Sequence, residues 1–363
     1  LVERGGALAG LGVVALVALA IGAGWSDVLA YRDASLAPAD QLAELELVGG
    51  MIEDEGPTLL TEYEPYGARH FLREGATEGA SDLRRRDVPL RGGRSLGKGE
   101  FADLDELGLA PLVLNRSLVL RRSPVTSRPP APYELVWSGE FYELWQRPAG
   151  AGAGEGSPRL HVGLGSERSP VGEPRCEQLI TLFKRRGQFG GVLAAASRLP
   201  VISPRIAPPD YPAAWLRPDE PQRPQPRVPG VMRLDVTVDR ADSYAVWLRG
   251  SVHSLAEARI DGREVGSARG ALNNSEGWIS LGEAELDRGV HELELEISGA
   301  DLHPGSGAYP EPIGPLALAP TDSRPRLSAF ELTPGTVLRS CLRNDPRAPA
   351  LRRDLDWIEL LRD

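Results

Sequence analysis

The sequence predicts an α+β multidomain chain with an N-terminal transmembrane helix, a small α/β domain and an antiparallel β-sandwich of the jelly-roll type. Three observations predict this fold class. Residues Gly5 to Gly24 contain no charged or strongly polar side chain. The region that follows alternates short helical and strand patterns. After Val231, apolar and polar residues alternate at period two, which is typical of strands with one buried face.

The length and composition bound the architecture and the partners. A chain of 363 residues is longer than one core usually serves. We place the domains at 1–26 (transmembrane helix), 27–150 (small α/β domain), 151–230 (linker, helix and proline-rich segment), 231–335 (sandwich) and 336–363 (C-terminal tail packing back). The 41 glycines and 32 prolines favour turns and short strands. A net charge of −10, without a basic face carrying aromatic residues, argues against a nucleic-acid partner.

The apolar stretch has the length of a membrane span. As a helix rising 1.5 Å per residue, Gly5 to Gly24 would measure about 30 Å, the thickness of a bilayer's hydrocarbon core. Arg4 precedes it and Trp25 stands at its far boundary, which favours a cytoplasmic start and an external remainder. A cleaved signal peptide is the alternative, although its apolar region would normally be only about 7–15 residues long. We therefore expect a protein of the cell membrane whose bulk is extracytoplasmic.

The middle of the chain predicts the small domain and its connection to the sandwich. "APADQLAELELVGGMIEDEG" indicates a helix opening at Pro38, and "YELVWSGEFYELWQRP" indicates a hairpin turning at Ser138 and Gly139. A second helix, interrupted by glycines, is predicted from roughly Cys176 to Ser197. The passage from Pro200 to Pro229 is too rich in proline for regular structure, so we expect an extended segment laid over a surface.

The sandwich is predicted from about seven short strands joined by turns. "VMRLDVTVD", "YAVWLRGSV" and "VHELELEIS" alternate strictly, and "EARIDGREVG" indicates a hairpin turning at Asp261 and Gly262. "GWISLGEAEL", "GPLALAP" and "LSAFELTP" supply the remaining strands. In "YAVWLRGSV" the inward row is predicted to be Tyr244, Val246, Leu248 and Val252.

Trp247 and Arg249 fall on the opposite, outward row of that strand. An aromatic face suits the C–H side of a sugar ring, so these two side chains are candidates for stacking on and hydrogen bonding a saccharide. The other interpretation is that Trp247 is covered by the proline-rich segment or by the first domain. We expect a contact between domains first and a sugar platform second.

A loop beside Trp278 supplies the other candidate ligand-binding residues. Asn273, Asn274 and Glu276 could bind sugar hydroxyls, or calcium, through oxygen atoms. Turn formation by Asn and Ser explains the same residues. Nothing in the sequence supports a calcium site, and no metal site or cofactor is predicted.

No catalytic residues are predicted. The Asp-x-Asp pairs in "DLDEL" (Asp103, Asp105) and "DLDW" (Asp354, Asp356) imitate a motif that binds metal and sugar nucleotide, but such spacing is common. We interpret both pairs as solvated surface. No combination of nucleophile, acid and base indicates a hydrolase.

The chain has two cysteines, Cys176 and Cys341. In an external location they would be able to form a single disulfide that closes a long loop. Two unrelated buried thiols are the alternative, because spacing alone does not determine pairing.

Two resemblances concern function. "DSYAVWLRGSVHSLAEARIDGREVG", followed by "GWISLGEAELDRGVHELELEI", resembles carbohydrate-binding jelly-roll modules. The order of the apolar span, "GPTLLTEYEPYGARHFLRE", "RPPAPYELVWSGEFYELWQRP", a cysteine opening a helix, the sandwich and "LDWIEL" resembles the external C-terminal region of actinobacterial multi-spanning membrane proteins. Those proteins are similar to lipid-linked-sugar glycosyltransferases of the GT-C type. This resemblance implies that any catalytic step would belong to membrane sequence upstream of this chain.

The leading hypothesis is a membrane-anchored extracytoplasmic region of a glycosyltransferase-like protein. Its sandwich would hold glycan or position domains, with cell-envelope glycan or lipid-linked sugar as partners. The alternative is a non-catalytic envelope protein whose sandwich mediates protein interaction or only packs.

Overall fold

The structure is a computed structural model of the chain. It describes residues 2–33, 39–62, 67–79, 87–97, 100, 102–126, 128–148, 157–164, 174, 176–197, 200–269, 277–303, 305–321, 329–335 and 355–362. Within them the chain is a mixed α/β protein with four β-sheets.

The N-terminal helix α1, Val2–Asp33, is longer than the predicted segment 1–26. No proline interrupts it, and "WSDVLAYRD" continues the helix beyond the glycines. Over Gly10–Arg32 it has a mean hydropathy of 2.0. In the described part of the chain it is the one helix long and apolar enough to cross a membrane. Its apolar side chains before Trp25 are mostly exposed, among them Leu11 (68%), Leu16 (70%) and Leu19 (72%).

The N-terminal unit, residues 39–148, combines short helices with a five-stranded sheet. Helix α2, Ala39–Met51, buries Leu45 and Val48 against the sheet, and α3 spans Leu109–Val113. The strands are β1 (Thr58–Leu60), β2 (Glu78–Gly79), β3 (Ser117–Arg121), β4 (Glu134–Ser138) and β5 (Tyr142–Gln146), in the order β2-β1-β3-β5-β4. Strands β2, β1 and β3 are parallel, whereas β3, β5 and β4 are antiparallel. The hairpin predicted around Ser138 and Gly139 is the β4–β5 pair.

A four-stranded antiparallel sheet, here called the closing sheet, joins parts of the chain that are far apart in sequence. It consists of β6 (Pro158–Gly163), β7 (Val192–Ser197), β15 (Ala329–Glu331) and β16 (Leu355–Leu361), in the order β15-β7-β16-β6. Helix α4, Cys176–Phe189, packs on one face through Leu179 and Leu182.

The predicted helix is confirmed from Cys176 to Phe189, but its continuation to Ser197 beyond the glycines was wrong. The helix ends at Phe189 because Gly190 and Gly191 adopt positive φ angles of 70° and 101°, which do not continue a right-handed helix. The alanines that follow form β7 because β15 and β16 pair with both of its edges. Tertiary pairing therefore overrides the helix propensity of alanine.

The proline-rich segment, residues 200–229, is irregular apart from one 3₁₀ turn at Ala213–Trp215, as predicted. It lies over the strands that follow it. Ile206, Tyr211 and Trp215 enter their core, and the Trp215 Nε1–H donates a 2.7 Å hydrogen bond to the Val228 carbonyl.

The two-sheet unit, residues 230–320, contains two antiparallel sheets that share one core. Its strands are β8 (Gly230–Val238), β9 (Asp242–Arg249), β10 (Ala256–Ile260), β11 (Arg263–Ala268), β12 (Trp278–Leu286), β13 (Gly289–Ile297) and β14 (Leu316–Pro320). One sheet has the order β11-β10-β13-β8 and the other β12-β9-β14. The predicted inward row of Tyr244, Val246, Leu248 and Val252 is buried in the shared core.

Two further predictions about this unit have clear outcomes. The β10–β11 hairpin turns at Asp261 and Gly262, whose φ angles of 51° and 74° explain the choice of Asp-Gly. "LSAFELTP" was wrongly assigned to the sandwich, because its strand β15 pairs with β7 in the closing sheet.

Candidate functional site

Trp247 lies where the two-sheet unit meets the N-terminal unit. Strand β9 is the centre of its sheet, and the outward side of that sheet is covered. Trp247 is only 5% exposed and packs with Val125 of the N-terminal unit and Val201 of the proline-rich segment. The guanidinium carbon of Arg122 lies 5.5 Å from the centroid of the Trp247 ring, within cation–π range. The expected contact between domains is therefore present, and the indole face is not an open platform.

Two of the other candidate ligand residues lie in the part of the chain that the structure describes, and three lie outside it. Arg249 (3% exposed) and Trp278 (1%) are both buried, and they stand opposite each other in the β9–β12 pair. Asn273, Asn274 and Glu276 lie outside the described residues, so their role stays a prediction. Their loop connects Arg269 to Trp278, which places its two ends at the same junction.

A pocket of about 190 Å³ opens at this junction, here called the junction pocket. The N-terminal unit lines it with Gln41, Arg121, Arg122, Glu140 and Phe141, and the two-sheet unit with Trp247, Ser267, Ala268, Arg269, Trp278, Ile279 and Ser280. Sites for drug-sized ligands measure roughly 300–1,000 Å³. The junction pocket is smaller and suits one small group, such as a single sugar ring.

A buried polar cluster supports the N-terminal wall of the pocket. Gln41 Nε2 donates a 2.7 Å hydrogen bond to the Tyr142 hydroxyl, and Arg121 Nη1 lies 3.9 Å from Glu62 Oε2. The Arg121 guanidinium carbon is 5.1 Å from the ring centroid of Phe141. Burial, followed by the negative charge of Glu62, raises the pKa of Tyr142 well above its usual value, so this hydroxyl stays protonated. Helix α2 and strands β3 and β5 thus fix the cationic wall.

Arg269 forms the opposite wall. Its Nη2 donates to Asp301 Oδ2 at 2.7 Å, whereas its buried Nη1 has no hydrogen-bond partner among the described residues. Burial of Asp301 opposes ionisation, but the His303 backbone N–H and Arg269 outweigh it and hold the pKa of that carboxyl far below its ordinary value. Asp301 is therefore a permanent anion that orients Arg269 at the pocket.

This arrangement combines the groups that recognise sugars. Ring atoms of the two tryptophans and of Phe141 give the lining apolar contacts without an open indole face, while the serine hydroxyls and guanidinium groups offer hydrogen bonds to hydroxyl or carboxylate oxygens. Three arginines and one carboxylate, that of Glu140, line the pocket. Glu62 and Asp301 pair with two of these arginines from outside the lining, so an acidic group would meet guanidinium groups that are already oriented.

The surface interpretation of the Asp-x-Asp pairs was wrong for two residues. Asp103 is 6% exposed and Asp356 is 4% exposed. Asp356 Oδ2 lies 2.6 Å from Arg128 Nε in an ion pair across the contact between the closing sheet and the N-terminal unit. No group of three or more potential metal-ligating side chains occurs among the described residues.

Beside this ion pair the closing sheet buries a second polar contact. His161 Nδ1 lies 2.8 Å from Glu359 Oε1, which also accepts the Ala131 backbone N–H at 3.0 Å. Both pairs receive backbone N–H groups of loop 128–131. They therefore fasten the closing sheet to the N-terminal unit.

Sequence reasoning missed Gln41, Arg121, Arg122 and Phe141. The one available signal was "LVLRRS", in which one arginine ends a buried strand and a second directly follows it. Adjacent arginines usually mark a solvated face, and only the fold reveals that Arg121 meets Glu62 and two aromatic rings.

Cys176 is buried at the start of α4, and no cysteine in the described part of the chain is a free thiol. Cys341 lies outside the described residues, so its pairing with Cys176 stays a prediction.

Comparisons with protein-family models and with curated proteins gave no match. Among solved structures, a family 35 carbohydrate-binding module from Clostridium thermocellum has 14% identity and a TM-score of 0.20, and the match covers 25% of this chain and 70% of that one. The CBM35 of Paenibacillus barcinonensis has 10% identity and a TM-score of 0.21, with 35% and 97% covered.

The GH26-CBM35 β-(1,4)-mannanase of Podospora anserina has 13% identity and a TM-score of 0.20 over 27% of this chain. The match spans 20% of that enzyme. At these TM-scores the likenesses do not bear on what the chain binds.

Proposed function

We propose that this chain is the membrane-anchored, extracytoplasmic region of a glycosyltransferase-like envelope protein, and that its junction pocket holds one acidic unit of a glycan. Helix α1 would be the anchor. The two-sheet unit would be the jelly-roll sandwich predicted from the sequence, docked through Trp247 so that it completes the pocket. The glycan would be a cell-envelope polymer or a lipid-linked sugar, and any catalytic step would lie outside this chain.

One observation carries the proposal: the junction pocket places aromatic rings beside three arginines, and Arg269 Nη1 is left without a partner among the described residues. A buried donor without a partner costs about 1–3 kcal/mol, so a ligand oxygen at this position would be favourable. Both walls are held by buried or ion-paired groups, which supports a preformed site.

The test is binding of the full chain to an array of neutral and acidic oligosaccharides. Two variants address the pocket. Ser267→Trp would fill it from an exposed position, and Arg269→Gln would remove the cation. Loss of a hydrogen bond to a charged group costs about 1.5–3 kcal/mol, so Arg269→Gln should weaken binding at least about tenfold.

Arg233→Gln is the matched control, because Arg233 also forms an ion pair, with Glu294, but lies on the exposed face of the other sheet. It should leave binding unchanged. The proposal fails if no acidic saccharide binds, or if Ser267→Trp binds as well as the unaltered chain.

The second candidate function is a non-catalytic envelope protein in which the two-sheet unit only packs. The near-complete burial of Trp247 and the position of Arg122 over its ring favour it. It predicts no saccharide binding by any of these proteins, with Trp247 needed for stability alone.

A further inference from the structure

We propose that one loop of the two-sheet unit, of which the structure describes residues 301–303 and 305–309, rests on the lipid surface beside α1. This inference depends on the proposed membrane anchoring. It adds an interfacial contact made by a part of the chain that is remote in sequence from the anchor.

The exposure of apolar side chains changes along α1 near the level at which the helix would leave the bilayer. Leu16, Leu19 and Ile21 are 66–72% exposed, whereas Leu29 is only 6% exposed. Trp25, a residue type enriched at membrane interfaces, lies between these two parts. The part before Trp25 is therefore open to lipid, whereas after it the helix contacts the folded body through Leu29. Val28 (55%) and Tyr31 (93%) stay exposed in this later part.

A hydrogen bond links the body to this level of the helix. Ser26 Oγ donates to the Leu302 carbonyl at 3.3 Å. Because Ser26 directly follows Trp25, an inserted α1 would hold the Leu302 backbone at the depth of the interfacial tryptophan.

The loop is ordered by its own hydrogen bonds. Asp301 Oδ1 accepts the His303 backbone N–H at 2.9 Å, and the Ser306 hydroxyl donates to the Asp301 carbonyl at 3.0 Å. The salt bridge from Arg269 to Asp301 ties the loop to β11. Its apolar side chains are thus held outward by a fixed backbone.

These side chains are of the types that enter lipid interfaces. Leu302 is 54% exposed and Tyr309 is 72% exposed. A leucine gains free energy by leaving water, and a tyrosine keeps its hydroxyl among the headgroups while its ring is buried. The bilayer is the occupant that fits, because the neighbouring helix brings it to this loop.

Val290 is a matched control within the same unit. It is 67% exposed and lies at the start of β13, whereas the loop follows the end of that strand. At about 3.3 Å per residue, the strand places Val290 more than about 20 Å from the loop.

The experiment uses the full chain with benzoylphenylalanine in place of Leu302, Tyr309, Val290 or Leu16, reconstituted in vesicles of phosphatidylcholine and phosphatidylglycerol with radiolabelled phospholipid. Illumination should attach several-fold more lipid at 302 and 309 than at 290. Position 16 should also be labelled, because it lies in the proposed span.

The outcomes separate the two proposals. Labelling at 16 with no more label at 302 and 309 than at 290 overturns the lipid contact while the anchor stands. Absence of label at 16 overturns the anchor and the lipid contact together.

Discussion

The strands on both outer faces of the two-sheet unit alternate inward and outward residues, but one outer face is buried and the other is exposed to solvent. On the sheet β12-β9-β14 the outward row contains Ala245, Trp247, Ala317 and Ala319, all buried against the N-terminal unit or the proline-rich segment. On the other sheet, Arg233 pairs with Glu294 and Arg259 with Glu296 in solvent. Small residues around one large aromatic mark a docking surface, whereas alternating charges mark a solvated one.

Among substitutions on the two faces, we expect the largest loss of stability at Trp247. Trp247→Ala should lower the free energy of unfolding by about 3–5 kcal/mol, because it removes a buried ring and leaves a cavity between units. Denaturant unfolding of the full chain measures this change.

The control on the solvated face is Arg233→Ala, which should change the free energy of unfolding by no more than about 0.5 kcal/mol. Equal effects at the two positions would show that the β9 face is not a docking surface.

Arg122 tests whether the buried face is a contact between units, because its guanidinium extends from the N-terminal unit over the ring of Trp247. Arg122→Ala should cost about 0.5–2 kcal/mol, through loss of the cation–π contact. In the Trp247→Ala background the same change should cost markedly less, since the ring is already absent.

A double-mutant cycle of unfolding free energies measures this coupling. Arg259→Ala, on the solvated face, should show no coupling to Trp247. If the losses of unfolding free energy from the Arg122 and Trp247 substitutions are additive, the cation–π contact does not contribute to stability.

The smallest expected effect is a pH dependence near the start of β13, an inner strand of the solvated sheet. His291 Nδ1 lies 2.7 Å from Asp261 Oδ2, and this bond, followed by that to the Asp287 carbonyl, raises the pKa of His291 above 6.5. Its contribution to stability is therefore full below about pH 6.5 and is lost as pH rises through the raised pKa. The loss should stay below about 1 kcal/mol, as for other exposed ion pairs.

The hydrogen bond to His291 also lowers the pKa of Asp261, so the carboxylate's contribution is lost only as pH falls through that lowered value. Asp261→Asn keeps a side-chain acceptor for the Glu292 N–H and tolerates the positive φ of the turn. If this variant shows the same fall in unfolding free energy between pH 6 and pH 8, the pair is not its cause.

Local patterns predicted the strands of the two-sheet unit but not the pairing of distant segments. Strict alternation identified the inward row of β9, and Asp-Gly identified the β10–β11 turn. The closing sheet was missed because β16 lies between β6 and β7, and no local signal announces pairing across such sequence distances. The alanines of β7 show the same limit, since neighbouring strands decide their conformation.

The candidate site was predictable only on one side. The outward position of Trp247 indicated either a ligand platform or a domain contact, and burial favours the contact. The N-terminal wall of the pocket depends on Arg121 and Gln41. These two side chains are held there by Glu62 and Tyr142, which lie beside them in the fold. A sequence pattern does not reveal that side chains from α2, β3 and β5, which are separate in sequence, contact one another.

Hydroxyl-radical footprinting of the full chain tests most directly whether the β9 face is a closed junction. Trp247 should react far more slowly in the folded chain than in the urea-unfolded chain, whereas Tyr309, 72% exposed, should react at similar rates in both. Equal reactivity of Trp247 in the folded and unfolded chains would contradict the account, because the ring would then be open to solvent.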